Sequence, residues 1–180
     1  MDAVKIVNKI SKEHGTIKNV YFLACGGSLV DLYPGYYFLR AESAVMDAQW
    51  IPAREFALTP PKKLGKDSLL IICSHSGKTR ECLEAARTGL DAGAAVVTLT
   101  HALGSACDTT EWISIVYDWA PGVKEAEKPQ GIVLNLLNEL MKVQEPGYEL
   151  YDKITEGFHK IDAIIAEAVK DQQNAAWLFA

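Results

Sequence analysis

Ser74-His75-Ser76-Gly77-Lys78-Thr79-Arg80-Glu81 gathers the residue types that hold an anion. The hydroxyls of Ser74, Ser76 and Thr79 can each donate to a phosphate oxygen, and Gly77 lets the backbone come close to it. The stretch follows an apolar, β-branched run, Ser68-Leu69-Leu70-Ile71-Ile72-Cys73, and precedes the helix-patterned Cys82-Leu83-Glu84-Ala85-Ala86. A strand turning into a helix presents unpaired N–H groups and the positive end of the helix dipole. Gly77-Lys78-Thr79 also has the form of a P-loop tail, but that loop needs a glycine five positions before its GK glycine. Ile72 stands there, inside the strand, so a cradle for a single phosphate ester fits better than one for a di- or triphosphate. A second glycine-hydroxyl turn, Cys25-Gly26-Gly27-Ser28, follows another apolar run.

Each of these residues has a plainer reading. Ser28, Ser74, Ser76 and Thr79 are favoured helix N-caps, although capping needs one hydroxyl and the 74–79 turn has three. Cys25 reads as a small buried residue rather than a nucleophile, with no base placed near it by sequence. His75 either orients a ligand or only lines the turn. His14, His101 and His159 are isolated and read as surface residues, and Glu55 and Glu81 as structural. No spacing among His, Cys, Asp and Glu suggests a metal.

The elements that must position these turns follow from periodicity. Residues 2–14 carry Val4, Ile6, Val7 and Ile10 at helical spacing and end at Gly15. Strands are expected at Asn19–Ala24, Ala44–Met46, Leu69–Cys73, Ala94–Leu99 and Ile113–Tyr117. Helices are expected at Ser28–Leu39 (kinked or stopped early by Pro34-Gly35), 51–57, Thr79–Ala92 and Glu127–Val143. This β-α-β-α-β order predicts an α/β fold, a three-layer αβα sandwich on a five-stranded parallel sheet. Ligands of such sheets sit at the carboxyl ends of the strands, where both turns fall. A long helix from Tyr148 to Phe179 carries Ile154, Phe158, Ile161, Ile165 and Ala168 on one stripe. Residues 1–145 thus read as one domain with an N-terminal helix. Residues 146–180 read as a connector to a further half, or as an oligomer contact.

Composition sets limits. The chain has 180 residues, 49% of them apolar, enough for one sizeable core. No apolar run approaches a membrane span, and no signal-peptide core is visible. Net charge of −5 argues against nucleic acid as the main partner. Four cysteines without CxxC pairing suggest a reduced, cytoplasmic setting.

The two turns together, in order and at suitable spacing, resemble the sugar isomerase (SIS) domain over roughly residues 19–143. Within that family the chain looks most like the fructosamine-6-phosphate deglycases. The features are Ala24-Cys25-Gly26-Gly27-Ser28, Arg54-Glu55-Phe56 before Pro60-Pro61, Cys73-Ser74-His75-Ser76-Gly77, and Tyr117-Asp118-Trp119. The isomerase half of glucosamine-6-phosphate synthase is similar but usually carries Gln where His75 stands. The resemblance implies that Ser28, Ser74, Ser76 and Thr79 hold a sugar phosphate, helped by the amides of His75, Gly77 and Lys78. Gly26, Gly27, Lys78 and Glu55 would border the pocket. It further implies a reaction without metal or redox cofactor, a phosphorylated sugar or Amadori product as ligand, and a homo-oligomer of two or more copies. Deglycases and the synthase carry two SIS halves in tandem, with the catalytic Glu and His in the second, so no catalytic residue is carried over. The competing functions are an aldose–ketose isomerase or aminating enzyme sharing the phosphate site, and a non-catalytic phosphosugar sensor.

Overall fold

The computed structural model describes residues 2–176, with side chains as far as 171. Helix α1 spans Ala3–His14, capped by the Asp2 carboxylate, which accepts from the Lys5 amide at 3.1 Å. Strand β1 (Asn19–Ala24) is buried throughout. Short α2 (Gly27–Asp31) and α3 (Tyr33–Glu42) follow, then β2 (Asp47–Pro52) and α4 (Ala53–Leu58). Next come β3 (Ser68–Cys73), α5 (Arg80–Asp91), β4 (Ala95–Thr100) and β5 (Ile113–Val116). A 3-10 turn at Glu125–Glu127 leads into α6 (Pro129–Gln144), and α7 runs from Tyr151 to Ala176. No helix among the described residues is long and apolar enough to cross a membrane.

The five strands are all parallel, in the order β2-β1-β3-β4-β5. Alternate side chains of the central strands feed two cores. Val20, Phe22, Leu69, Ile71 and Val97 pack with α1, α3 and α6 on one face. Tyr21, Leu23, Leu70, Ile72 and Val96 pack with α4 and α5 on the other. Strands buried on both faces must be apolar at every position, as β1 and β3 nearly are. Full burial of each large side chain contributes about 1.5–3 kcal/mol. The in-register pairs Ala24↔Pro52, Ala24↔Cys73 and Cys73↔Leu99 align the carboxyl ends along one edge.

The second strand falls later than expected. Ala44–Met46 is a turn: the Ser43 hydroxyl accepts from the Met46 amide at 2.8 Å, and Glu145 at the end of α6 accepts from the Val45 amide at 3.0 Å. Pairing with β1 begins only at Asp47. Ile51 and Pro52 therefore belong to the strand, and Pro52 is tolerated because β2 is an edge strand. The helix expected over Ser28–Leu39 is two helices, because Pro34 is accommodated in the first turn of a new one. Likewise the Glu127–Val143 helix begins at Pro129. The stripe on α7 is half-buried at Ile154, Phe158 and Ile161, where the helix lies against α6 and the 3-10 turn, and exposed at Ile165 and Ala168. Trp177, Leu178 and Phe179, the end of the helix expected from sequence, lie outside the described residues.

Candidate functional site

The turn between β3 and α5 is held from behind. Its Ser74 amide donates to Leu99 O at 2.9 Å, continuing the ladder one residue past β3. Three of its carbonyls are taken from the protein side. Ser74 O accepts from the Gly77 amide at 2.9 Å, His75 O from the His101 amide at 3.2 Å, and Gly77 O from the Cys107 amide at 3.0 Å. Thr100 Oγ1 adds a second bond to His75 O at 3.4 Å. The amides of His75, Ser76, Thr79 and Arg80, by contrast, make no hydrogen bond among the described residues. Three carbonyls turned inward and four amides left free at the start of a twelve-residue helix make an arrangement that can receive an anion.

The hydroxyls complete it. Ser74, 2% exposed, places its Oγ 2.9 Å from Thr79 Oγ1. Thr79 occupies the N-cap position of α5 but makes no capping bond with its side chain. Ser76 is exposed and accepts from the Lys78 amide at 3.3 Å, and Lys78 itself is exposed. Gly77 is buried at φ +63°, a conformation L side chains rarely adopt.

The β1–α2 turn lies alongside, since Ala24 is in register with Cys73. Gly26 (φ +60°) and Gly27 are exposed, with nothing within 4 Å of where a Cβ would stand. Ser28 is half-buried, with its hydroxyl near the Cys73 thiol. Burial pushes that thiol up to about 12, the nearby Asp31 charge adds to the effect, and the Ser28 and Tyr117 hydroxyls oppose it. Cys25 is half-buried, not fully buried as its sequence context suggests. Glu55 is exposed on α4, and its carboxylate makes no polar contact among the described residues, whereas its neighbour Arg54 pairs with Glu84 of α5 at 2.9 Å. The fold thus brings Ser28, Ser74, His75, Ser76, Gly77 and Thr79 to one edge, and leaves Glu55 without a link to them.

Residues that the sequence reading did not assign to the site complete this edge. His101, expected to be isolated, stacks on His75 with ring centroids 5.0 Å apart and planes 13° from parallel. Its Nδ1 lies 3.1 Å from Tyr117 O, while His75 Nδ1 lies 2.9 Å from Tyr117 Oη. Trp119 meets His75 edge-on at 5.7 Å. Asp31, beneath, accepts from Gln130 Nε2 at 2.7 Å; burial raises its carboxyl while the charge of His75 pulls it down. Every one of these except Gln130 follows a strand end or lies in the short helix after one, the signal that would have found them. A concavity of about 660 Å³ does not coincide with the turns. It lies beside β5, between α1 and α6, touching Tyr117 and Asp118. The hydrogen-bonding geometry, not that hollow, points to the candidate site.

No family model matches the chain. The fructosamine deglycase FrlB of Bacillus subtilis (strain 168) is 30% identical over 165 residues, which are 92% of this chain and 50% of that protein. The isomerizing glutamine–fructose-6-phosphate aminotransferase of Clostridium tetani (strain Massachusetts / E88) is 34% identical over 119 residues, 65% of this chain and 19% of that protein. A candidate phosphosugar isomerase from Salmonella typhimurium LT2 superposes with a TM-score of 0.90 at 32% identity, covering 99% of this chain and 53% of that one. The chain belongs to the sugar isomerase (SIS) domain family, related to fructosamine deglycase FrlB and to the isomerase part of the aminotransferase. It spans about half the length of FrlB.

Proposed function

We propose that this chain is the phosphate-anchoring half of a fructosamine 6-phosphate deglycase. The observation that carries the reading is the β3–α5 turn, whose free amides and paired Ser74 and Thr79 hydroxyls suit a phosphate monoester. Each charge-assisted hydrogen bond to such a group contributes roughly 1.5–3 kcal/mol, so several together support micromolar affinity. Ser28 and the exposed Gly26-Gly27 backbone would close the ligand from the neighbouring turn. The similarity to fructosamine deglycase FrlB favours an Amadori sugar phosphate over a simple hexose phosphate.

In this reaction a base takes a proton from C1 of the ketosamine and a proton is returned at C2, giving an aldimine. Water adds at C1, the C–N bond breaks, and glucose 6-phosphate and free amine leave. This chain supplies the anchor that fixes C1 and C2 relative to the acid–base groups, which in this reading come from a second SIS unit. Anchoring at a distance accelerates the reaction because binding energy is spent on orientation. Helix α7, with Ile164, Ile165 and Val169 exposed, would meet that second unit. A clean monomer in sedimentation velocity at high concentration would remove this part of the reading.

The test is calorimetric titration with fructose 6-phosphate, glucose 6-phosphate and fructoselysine 6-phosphate, with inorganic phosphate as control and every sample assayed for released amine. Binding of the sugar phosphates without turnover is expected from the chain alone. Folded protein that binds none of them refutes the anchor.

A further inference from the structure

Outside the cradle itself, the polar chemistry of this edge converges on one residue, Tyr117. Its backbone carbonyl lies 3.1 Å from His101 Nδ1, and its hydroxyl 2.9 Å from His75 Nδ1. A carbonyl oxygen only accepts, so His101 Nδ1 must carry the hydrogen. In the neutral ring the lone pair then stands on Nε2. Both Nδ1 atoms are thereby committed to Tyr117, and neither Nε2 has a hydrogen-bond partner among the described residues. Parallel stacking, with the rings 5.0 Å apart, holds the pair in one orientation. Both residues are exposed, and both join the anion cradle directly: His75 lies within the turn, and the His101 amide donates to His75 O at 3.2 Å. Trp119, 45% exposed and edge-on to His75, adds an apolar surface of the kind that packs against sugar C–H groups. An acceptor fixed on His101 Nε2 offers little to a bare phosphate, whose oxygens need donors.

We infer that His101 is a sugar-contact residue: its Nε2, fixed as an acceptor by the Tyr117 carbonyl, receives a hydroxyl of a hexose phosphate whose phosphate group sits in the β3–α5 turn, and Tyr117 is the positioning residue for both imidazoles. This inference rests on the phosphosugar reading above, and its test separates the two. Inorganic phosphate and fructose 6-phosphate are titrated calorimetrically into the wild-type chain, His101→Ala, His101→Gln and Tyr117→Phe, with thermal melts to confirm folding. Expected for His101→Ala is an unchanged affinity for inorganic phosphate and a loss of about tenfold for fructose 6-phosphate, the value of one well-made hydrogen bond. His101→Gln, which keeps an acceptor, should recover part of that loss. Tyr117→Phe keeps the backbone carbonyl and so costs less, about threefold, through His75. Nitrogen-15 spectra should show His101 as the Nδ1–H tautomer in the wild type and in Tyr117→Phe.

The Nε2–H tautomer at His101 would overturn the inference, because the acceptor would not exist. Equal fructose 6-phosphate affinity in His101→Ala and wild type would also overturn it, leaving the phosphate anchor standing. Parallel loss of both ligands would assign His101 to shaping the turn and refute a sugar contact. A folded wild type that binds neither ligand would refute the anchor and the inference together.

Discussion

The two glycine-hydroxyl turns lie side by side on one sheet edge, yet they are built in opposite ways. In the β3–α5 turn a Cβ on Gly77 would stand 1.9 Å from Ser105 Oγ and 2.7 Å from Thr100 Oγ1. In the β1–α2 turn a Cβ on Gly26 or Gly27 would meet nothing within 4 Å. One turn is closed by its own protein; the other faces open space. A receptor that must hold free amides in place without a ligand needs backing, because unpaired N–H groups otherwise relax toward internal acceptors. Thr100, Ser105 and the Cys107 amide supply it. The open turn needs no backing if its purpose is to let a ligand pass close to the backbone.

This contrast is most severely tested at Gly77. Alanine there combines left-handed strain with overpacking, together about 2–5 kcal/mol. Gly77→Ala should lower the melting temperature by roughly 5–15 °C and abolish binding of inorganic phosphate. A variant that melts like the wild type would mean that the backing is soft and the turn not preset. Next in size is Ser74→Ala. Ser74 faces Thr79 rather than a core element, so its loss should spare the fold and weaken inorganic phosphate by tenfold to a hundredfold in calorimetry. Unchanged affinity would leave the Ser74–Thr79 pair as a structural hydrogen bond only. Gly26→Ala should come third, at about 1 kcal/mol in thermal unfolding, because it brings positive-φ strain without a clash. A cost equal to that of Gly77→Ala would show that strain alone accounts for both turns.

How much of this was legible in the chain follows the same physics. β1 and β3 announce themselves because strands buried on both faces must be apolar at nearly every position, and the turn after β3 because it carries three hydroxyls where a helix cap needs one. β2 does not: Asp47-Ala48-Gln49-Trp50-Ile51-Pro52 is a half-exposed edge strand, and the nearby apolar Val45, 40% exposed, lies in a turn instead. The split at Leu32 depends on where Pro34 can be tolerated, which local pattern alone does not fix. The cradle residues share one contiguous stretch, so their meeting needed no fold. His101 and Tyr117 do need one. Tyr117 is 42 residues from His75, and only the order β3-β4-β5 brings the ends of three strands together. A histidine read as isolated along the chain is therefore one of a stacked pair in space.

The smallest expected effect carries the sharpest discrimination. Gly27 has neither positive φ nor a neighbour within 4 Å, so Gly27→Ala should leave stability unchanged to within about 0.5 kcal/mol, or raise it slightly by restricting the unfolded chain. In the free protein the added methyl is invisible. In the complex it occupies the space over which a sugar phosphate would pass to reach Ser28. Fructose 6-phosphate affinity should therefore fall severalfold while stability holds, a combination that Gly77→Ala cannot give, since there fold and ligand fail together. If the affinity also holds, the open turn is not the ligand-facing one. The difference between the two turns would then record only how tightly each is packed, and the anchor would rest on the β3–α5 turn alone.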